Sequence, residues 1–348
     1  MRSVLTFGAL LAYPHLAVGA VLSVGQSGTE DYASVSEALL AAQDGDRIEV
    51  YSGYYYEGES DGSLRLVFVR DIDFSLVGVQ DGVVIEGLYL LAGGESHRTT
   101  TYIEGLAFVG EAPVFTQALG TATVENCSFQ DLDVVMGLGV LDMYAGGNLF
   151  LRGCSFSGIH AGADAGVVEG YNVTVEDCQF DDCDVGLGLV WGGHPRLDHV
   201  VASHNTAKAI VYASTIEATN CTFWMNQTEA SLMAPNEYFF LGIVASHVIH
   251  VGDEGDVFAD AVNAMQVDCC DLVNGDLVAG LYVGSTNVFS ADPLFCDPEG
   301  GDFKLEAGSP CLPGVLSPDC DLMGAVDGLC PGLPIVRGSW GSVKAMFR

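Results

Sequence analysis

Basic residues are scarce in this chain: Lys and Arg total 12 against 46 Asp and Glu in 348 residues, a formal net charge of −34 at pH 7. A surface this negative repels phosphate backbones and polyuronates, which disfavours nucleic acid as a partner unless bound cations intervene. The acids themselves are not in excess, since 46 of 348 is an ordinary share for a soluble protein, so the imbalance comes from missing base. Long apolar runs are also missing: after the first twenty residues no stretch reaches the length of a spanning helix. What is abundant is apolar side chain, at 49%, together with 44 glycines. That content excludes a disordered acidic tail and suffices for a large core in one elongated domain or two ordinary ones.

Residues 1–20 read as a secretory leader. Arg2 supplies the positive start, an apolar stretch runs from Val4 to Val18, and Val18-Gly19-Ala20 offers small residues for cleavage after Ala20. No Cys follows that site, which argues against a lipid anchor. Export would place the 11 cysteines in an oxidising compartment, where disulfides persist.

A short phrase then returns along the chain: an aliphatic residue, two polar positions, then Cys-x-Phe. Copies start at Ile103, Val124, Leu151, Val175, Leu197, Ala218, Ile243 and Val267, in steps of 21, 27, 24, 22, 21, 25 and 24. Four copies carry both Cys and Phe, whereas those at Leu197 and Ile243 rest mainly on spacing. Positions one, four and six are apolar or Cys, and the alternation over four to six has the period of a strand. The repeats are too short for a crossover helix, and Gly, Asn and Asp cluster between the apolar pieces, so each unit reads as short strands joined by turns. Stacked units pair in parallel and bury what one unit cannot. Cys127, Cys154, Cys178 and Cys221 are then expected as buried thiols in an internal ladder. Asn126, Asn172, Asn220 and Asn226 lie in sequons, Asn126 and Asn220 within predicted strands, and none is assigned a glycan.

The segment YASVSEALLAAQDGDRIEVYSGYYYEG, Tyr32 to Gly58, resembles the opening of right-handed parallel β-helix proteins of the pectin-lyase-like group. The resemblance implies a short amphipathic helix plugging the open end, with Val35, Ala38, Leu39 and Ala42 at helical spacing and Gly45-Asp46 leading into the strand Arg47 to Val50. The far end, VDCCDLVNGD, SADPLFCDPEGGDFKLEAGSPC and CDLMGAVDGLC, resembles the close of secreted bacterial β-helix repeat proteins. Polysaccharide lyases and polygalacturonases of the group imply two chemistries, but no basic residue falls in a lyase motif, and Asp181-Asp182 with Gly193-His194-Pro195 departs from the hydrolase pattern.

Cys296, Cys311, Cys320 and Cys330 read as disulfide staples of an irregular cap, with three pairings open. Zinc is the minor alternative, since gaps of 15, 9 and 10 lack the close pairs of a zinc knuckle. Beyond Cys330 the tail PGLPIVRGSWGSVKAMFR concentrates Arg337, Lys344 and Arg348, as a sorting tag or a plain terminus.

Candidate chemistry comes from counting past the sixth phrase position. Asp133, His160, Asp182, Asp184 and His204 fall at two to four residues beyond it, and equal offsets stack at roughly 5 Å in a parallel solenoid. That spacing suits a glycosidase carboxylate pair, although Asp and His at turns also recur simply to accept backbone hydrogen bonds. No cofactor is required. Calcium is the candidate ion, held by Asp253, Glu254 and Asp256 or by Asp297, Glu299 and Asp302, hard oxygen donors on loops that are otherwise solvated acidic turns.

The sequence thus predicts an all-β, single right-handed parallel β-helix of nine or ten rungs. Its expected parts are a leader (1–20), a helix-capped stack (21–290), a Cys-rich cap (291–331) and a basic, aromatic tail (332–348). The expected role is that of an exported extracellular or cell-surface protein, non-catalytic, binding polysaccharide or cell-surface components. The alternative is a polysaccharide lyase or glycoside hydrolase; a third reading is a stalk or scaffold.

Overall fold

The structure, a computed structural model, describes residues 19–330 apart from 60–63, 94–97, 111–113, 118, 135–138, 235–240, 261–263, 280–281 and 316–318. The leader up to residue 18 and the tail from 331 lie outside the described residues. The chain winds into a parallel β-solenoid of about nine turns. Three parallel sheets run along it. The first stacks Val21–Val24, Asp46–Val50, Phe74–Gly78, Thr99–Glu104 and Gly120–Glu125, and ends at Tyr282–Phe289. The second sheet runs from Gly53–Tyr56 through Val83–Glu86, Ala107–Gly110 and Ser128–Val134 to Ile249–Asp260. The third starts at Arg65–Val69 and passes through Leu88–Ala92, Phe115–Gln117, Gly188–Gly192, Ala209–Ala213 and Ala230–Ala234.

The repeated phrase is a corner, not one strand. Positions one and two end a strand of the first sheet, and position three turns the chain with φ between +51° and +68° at Gly105, Asn126, Gly153, Asp177, His199, Asn220, His247 and Cys269. Gly, Asn, Asp and His tolerate this left-handed conformation better than other residues. Asn126 and Asn220 therefore sit at corners rather than inside strands. Positions five to seven then enter the second sheet.

Register confirms the phrase at Ile103, Val124, Leu151, Val175, Leu197 and Ala218. It corrects the next copy by two residues: Ala218 pairs with Ala245, not Ile243, and Ala245 pairs with Val267. The sixth-position column is thereby Phe108, Phe129, Phe156, Phe180, Ala202, Phe223, His250 and Leu272. Phe129, Phe156 and Phe180 stack with centroids 4.7 Å apart and planes within 6° of parallel, the strand spacing itself. His250 is buried in this column, and desolvation pushes its pKa down to about 4, so it is neutral.

The Cys ladder lies one step before the Phe ladder. Each thiol donates to the carbonyl two residues earlier across the corner: Cys178 to Glu176 at 3.1 Å, Cys221 to Thr219 and Cys270 to Asp268 at 3.2 Å. A small apolar side chain with a weak donor thus fills the interior and satisfies a corner carbonyl. Burial pushes the Cys221 and Cys270 thiols up to about 12, so they are packing groups and poor nucleophiles.

The plug helix is present at Val35–Ala41, with Val35, Ala38 and Leu39 buried. Its first-turn N–H groups, which have no partner within the helix, meet the buried Glu57 carboxylate, which accepts from Val35 N at 2.7 Å, Ser36 N at 3.1 Å and the Ser34 hydroxyl at 2.8 Å.

The Cys-rich segment lies along the flank of the stack. Outward positions of the second sheet are polar in early turns, as at Gln130, Ser157 and Gln179, and become apolar at Val201, Trp224, Ile249 and Val251. The hairpin Phe295–Asp297 with Asp302–Leu305 covers that apolar stretch, Phe295 and Phe303 meeting Trp224 edge-on at 5.6 and 6.3 Å. Two disulfides form, Cys296–Cys330 within the segment and Cys269–Cys320 tying it to a corner of the stack, while Cys311 stays a buried thiol. The second bond recruits a cysteine from outside the four expected staples, because the segment folds back onto the corner that carries Cys269.

Two outcomes follow from this packing. Phe156→Ala is expected to cost about 3–5 kcal/mol in guanidinium denaturation, and Phe156→Leu clearly less, because only the first leaves a large cavity in the aromatic stack. Cys269→Ser is expected to accelerate limited trypsin cleavage at Lys304 in the flanking hairpin; an unchanged rate would mean that the disulfide does not hold the segment down.

Candidate functional site

The candidates read from the sequence fall at the turn after the second sheet, and the structure divides them into two columns. Asp133 pairs with His160, His160 with Asp184, Asp184 with Thr206 and Thr206 with Gln227. All five are exposed. Asp182 and His204 belong elsewhere: they occupy left-handed corner positions, with φ of +52° and +56°, two residues before that column. His204 faces the flanking segment instead, its Nδ1 lying 3.1 Å from Asp181 Oδ1 and its Nε2 3.7 Å from Glu299 Oε2, while the Ser203 hydroxyl donates to the same Asp181 oxygen at 2.7 Å.

Of the six expected calcium ligands, the three described ones are engaged separately. Asp297 accepts from Gly300 N, Asp302 accepts from Lys304 N, and Glu299 reaches toward His204. The side chains of Asp253, Glu254 and Asp256 lie outside the described residues. Among the described residues no three His, Cys, Asp or Glu side chains form a metal-binding group.

A different constellation stands on the outer face of the third sheet. One register column runs Phe68, Leu91, Thr116, Asp142, Glu169, Trp191, Tyr212 and Met233. Their neighbours Leu141, Val168, Val190, Val211 and Leu232 point inward and are buried, so alternation turns this column outward. Asp142 and Glu169 are nevertheless only 7% and 5% exposed. Gly166 approaches the sheet beside them and donates its N–H to Glu169 Oε1 at 2.9 Å. A side chain at 166 would meet the Gly188 carbonyl oxygen at 2.5 Å, so this approach requires glycine.

Burial pushes the Asp142 carboxyl up to about 6. It pushes Glu169 up to about 7, with the Gly166 N–H opposing and the Asp142 charge adding to the rise. Beyond the pair, Trp191 and Tyr212 are partly exposed, and the Lys208 ammonium lies over the Tyr212 ring at 4.9 Å. The two carboxyls thus stand on adjacent strands in one column with the Trp191 and Tyr212 rings.

This column was missed in the sequence. Its signal is the run Leu141-Asp142-Met143, Val168-Glu169-Gly170, Val190-Trp191-Gly192, Val211-Tyr212-Ala213, each a single outward residue following an inward one.

Residues 109–252 match the family model described as a right handed beta helix region. Over that stretch the chain is similar to right-handed β-helices, and the described chain as a whole is a parallel β-solenoid. A β-helix is also what the pectin-lyase-like resemblance of its opening segment implied. No curated protein matches the chain. A solved structure, ORF18 of Geobacillus virus E2, superimposes with a TM-score of 0.38 and 11% identity, covering 78% of this β-helix chain and 61% of that one. The chain therefore spans less than two thirds of that structure's length.

The raised carboxyl pKa values fix a pH dependence. The folded β-helix retains protons that the unfolded chain releases, so the stabilisation is full below the ordinary carboxylate pKa and is lost as pH rises through about 6 and 7. The double variant Asp142→Asn, Glu169→Gln is expected to have a higher Tm than the parent at pH 8, with the gap closing at pH 4. Equal gaps at both pH values would show that the pair is not desolvated.

Proposed function

We propose that this chain is an exported β-helix protein that binds an extended, neutral glycan along the outer face of its third sheet. The observation that carries the reading is the unbroken column of two carboxyls, an indole and a phenol on neighbouring strands. Three strand steps from Asp142 to Tyr212 span roughly 14 Å, a length suited to several sugar units. Aromatic faces stack on the C–H faces of sugars, while carboxyls accept their hydroxyl hydrogens. The net charge of −34 favours a neutral polymer over a polyuronate. Export is supported by the leader-like residues 1–20, and two disulfides suit an oxidising compartment.

Calorimetric titration of the mature protein with neutral oligosaccharides, with and without calcium, tests the reading. Trp191→Ala is expected to weaken binding at least about tenfold, a loss of about 1.4 kcal/mol. Asp133→Ala, in the exposed corner column, is expected to leave affinity unchanged. Loss of binding in the corner variant with none in Trp191→Ala would move the site to the second sheet's turn.

A further inference from the structure

We propose that residues 343–347, in the basic tail beyond Cys330, add a strand to the open edge of the last turn and close that end of the solenoid. Tyr282–Phe289 is the last strand of the first sheet, and among the described residues it pairs on one side only, with Ala264–Ala279. Val288 on that strand packs against the core yet stays half-buried. An edge of this kind presents N–H and C=O groups with which another strand can pair.

The opposite end of the chain carries the closed alternative. Val21–Val24, the first strand of the same sheet, is met by Tyr32: Gly25 N donates to the Tyr32 carbonyl and Tyr32 N to the Ser23 carbonyl, both at 3.0 Å. The helix Val35–Ala41 plugs the interior beside it. Among the described residues neither a strand nor a helix does this for Tyr282–Thr286, because the chain leaves the last turn after Phe289 and runs along the flank to meet Trp224.

Pattern, charge and length fit the tail to that edge. Val343, Ala345 and Phe347 alternate with Lys344, Met346 and Arg348, the period of a strand with one apolar face. Residues 251–330 hold 15 acidic side chains against a single basic one, Lys304, whereas 331–348 hold Arg337, Lys344 and Arg348 and no acid. With the apolar face toward the interior, Lys344 and Arg348 turn outward over that acidic end. Cys330 is bonded to Cys296 with Cα atoms 5.5 Å apart, and Cys296 is ten residues from Thr286, so Cys330 lies within about 40 Å of the edge. The thirteen residue steps from Cys330 to Val343 reach about 45 Å. An edge filled in this way is no longer available to a second copy.

Hydrogen–deuterium exchange on the mature chain, residues 21–348 with the tail verified by mass, tests this against a variant ending at Cys330. The amides of Tyr282–Thr286 that point away from Ala264–Asp268 are expected to be protected in the full chain and to exchange at least about tenfold faster in the shortened one. Val343→Asp with Phe347→Asp in the full chain is expected to do the same while the strands of Phe129, Phe156 and Phe180 keep their protection, which separates loss of the added strand from loss of the fold. A synthetic peptide of residues 331–348 is expected to restore protection to the shortened variant, less well as salt rises, and a scrambled peptide to fail. Equal exchange in the parent and the double Asp variant overturns the proposal, as does rescue by the scrambled peptide. Protection that grows with protein concentration, together with a dimer mass in light scattering, assigns the edge to a second copy and overturns it too.

Discussion

Every feature of this molecule depends on the backbone ladder between successive turns. Each strand hydrogen-bonds only to its equivalents above and below, so one spacing governs the corners, the interior and the outer faces. Phe129, Phe156 and Phe180 stack at 4.7 Å because the ladder sets that distance, and flat rings fill it. The same constraint holds the corners in register, because a residue that cannot adopt positive φ at position three would displace the next strand in every sheet.

The ladder also sorts the acidic residues by what surrounds them. Glu57 closes the helix N-terminus and accepts from backbone and hydroxyl donors. Asp271, buried beside the flanking segment, accepts from Ala291 N at 2.9 Å and the Cys311 thiol at 3.2 Å, with desolvation pushing its pKa up to about 6. These two carboxyls hold parts of the fold together. Glu169 accepts only from Gly166 N, at 2.9 Å, and the placement of Asp142 and Glu169 in one column with Trp191 and Tyr212 gives the third sheet its chemical character.

A solenoid face is uniform unless something covers it, and here the C-terminal segment covers one. The switch from polar to apolar outward residues at Val201, Trp224 and Ile249 marks where the hairpin lies, and the Cys269–Cys320 bond anchors it. The second sheet is thus partly occupied in its later turns, whereas the third carries the carboxyl and aromatic column.

The sequence by itself determined the architecture. A local phrase repeated at near-constant spacing forces parallel stacking, and the positions of Cys127, Cys154, Cys178 and their Phe partners follow from period alone. The plug helix was legible through the resemblance of Tyr32 to Gly58 together with the helical spacing of Val35, Ala38 and Leu39, whereas Ala42, counted with them, is the C-cap. Only the tertiary structure decided which offsets coincide: a two-residue shift at Ala245 and the left-handed corner at His204 are set by loop lengths, which a count of residues does not resolve. Tertiary structure likewise decided that Asp142 and Glu169 are buried side by side, since their strands and the close approach of Gly166 come together only in the stack. It chose Cys269 as the partner of Cys320, because a disulfide needs proximity in space and the folded-back segment supplied it across 51 residues.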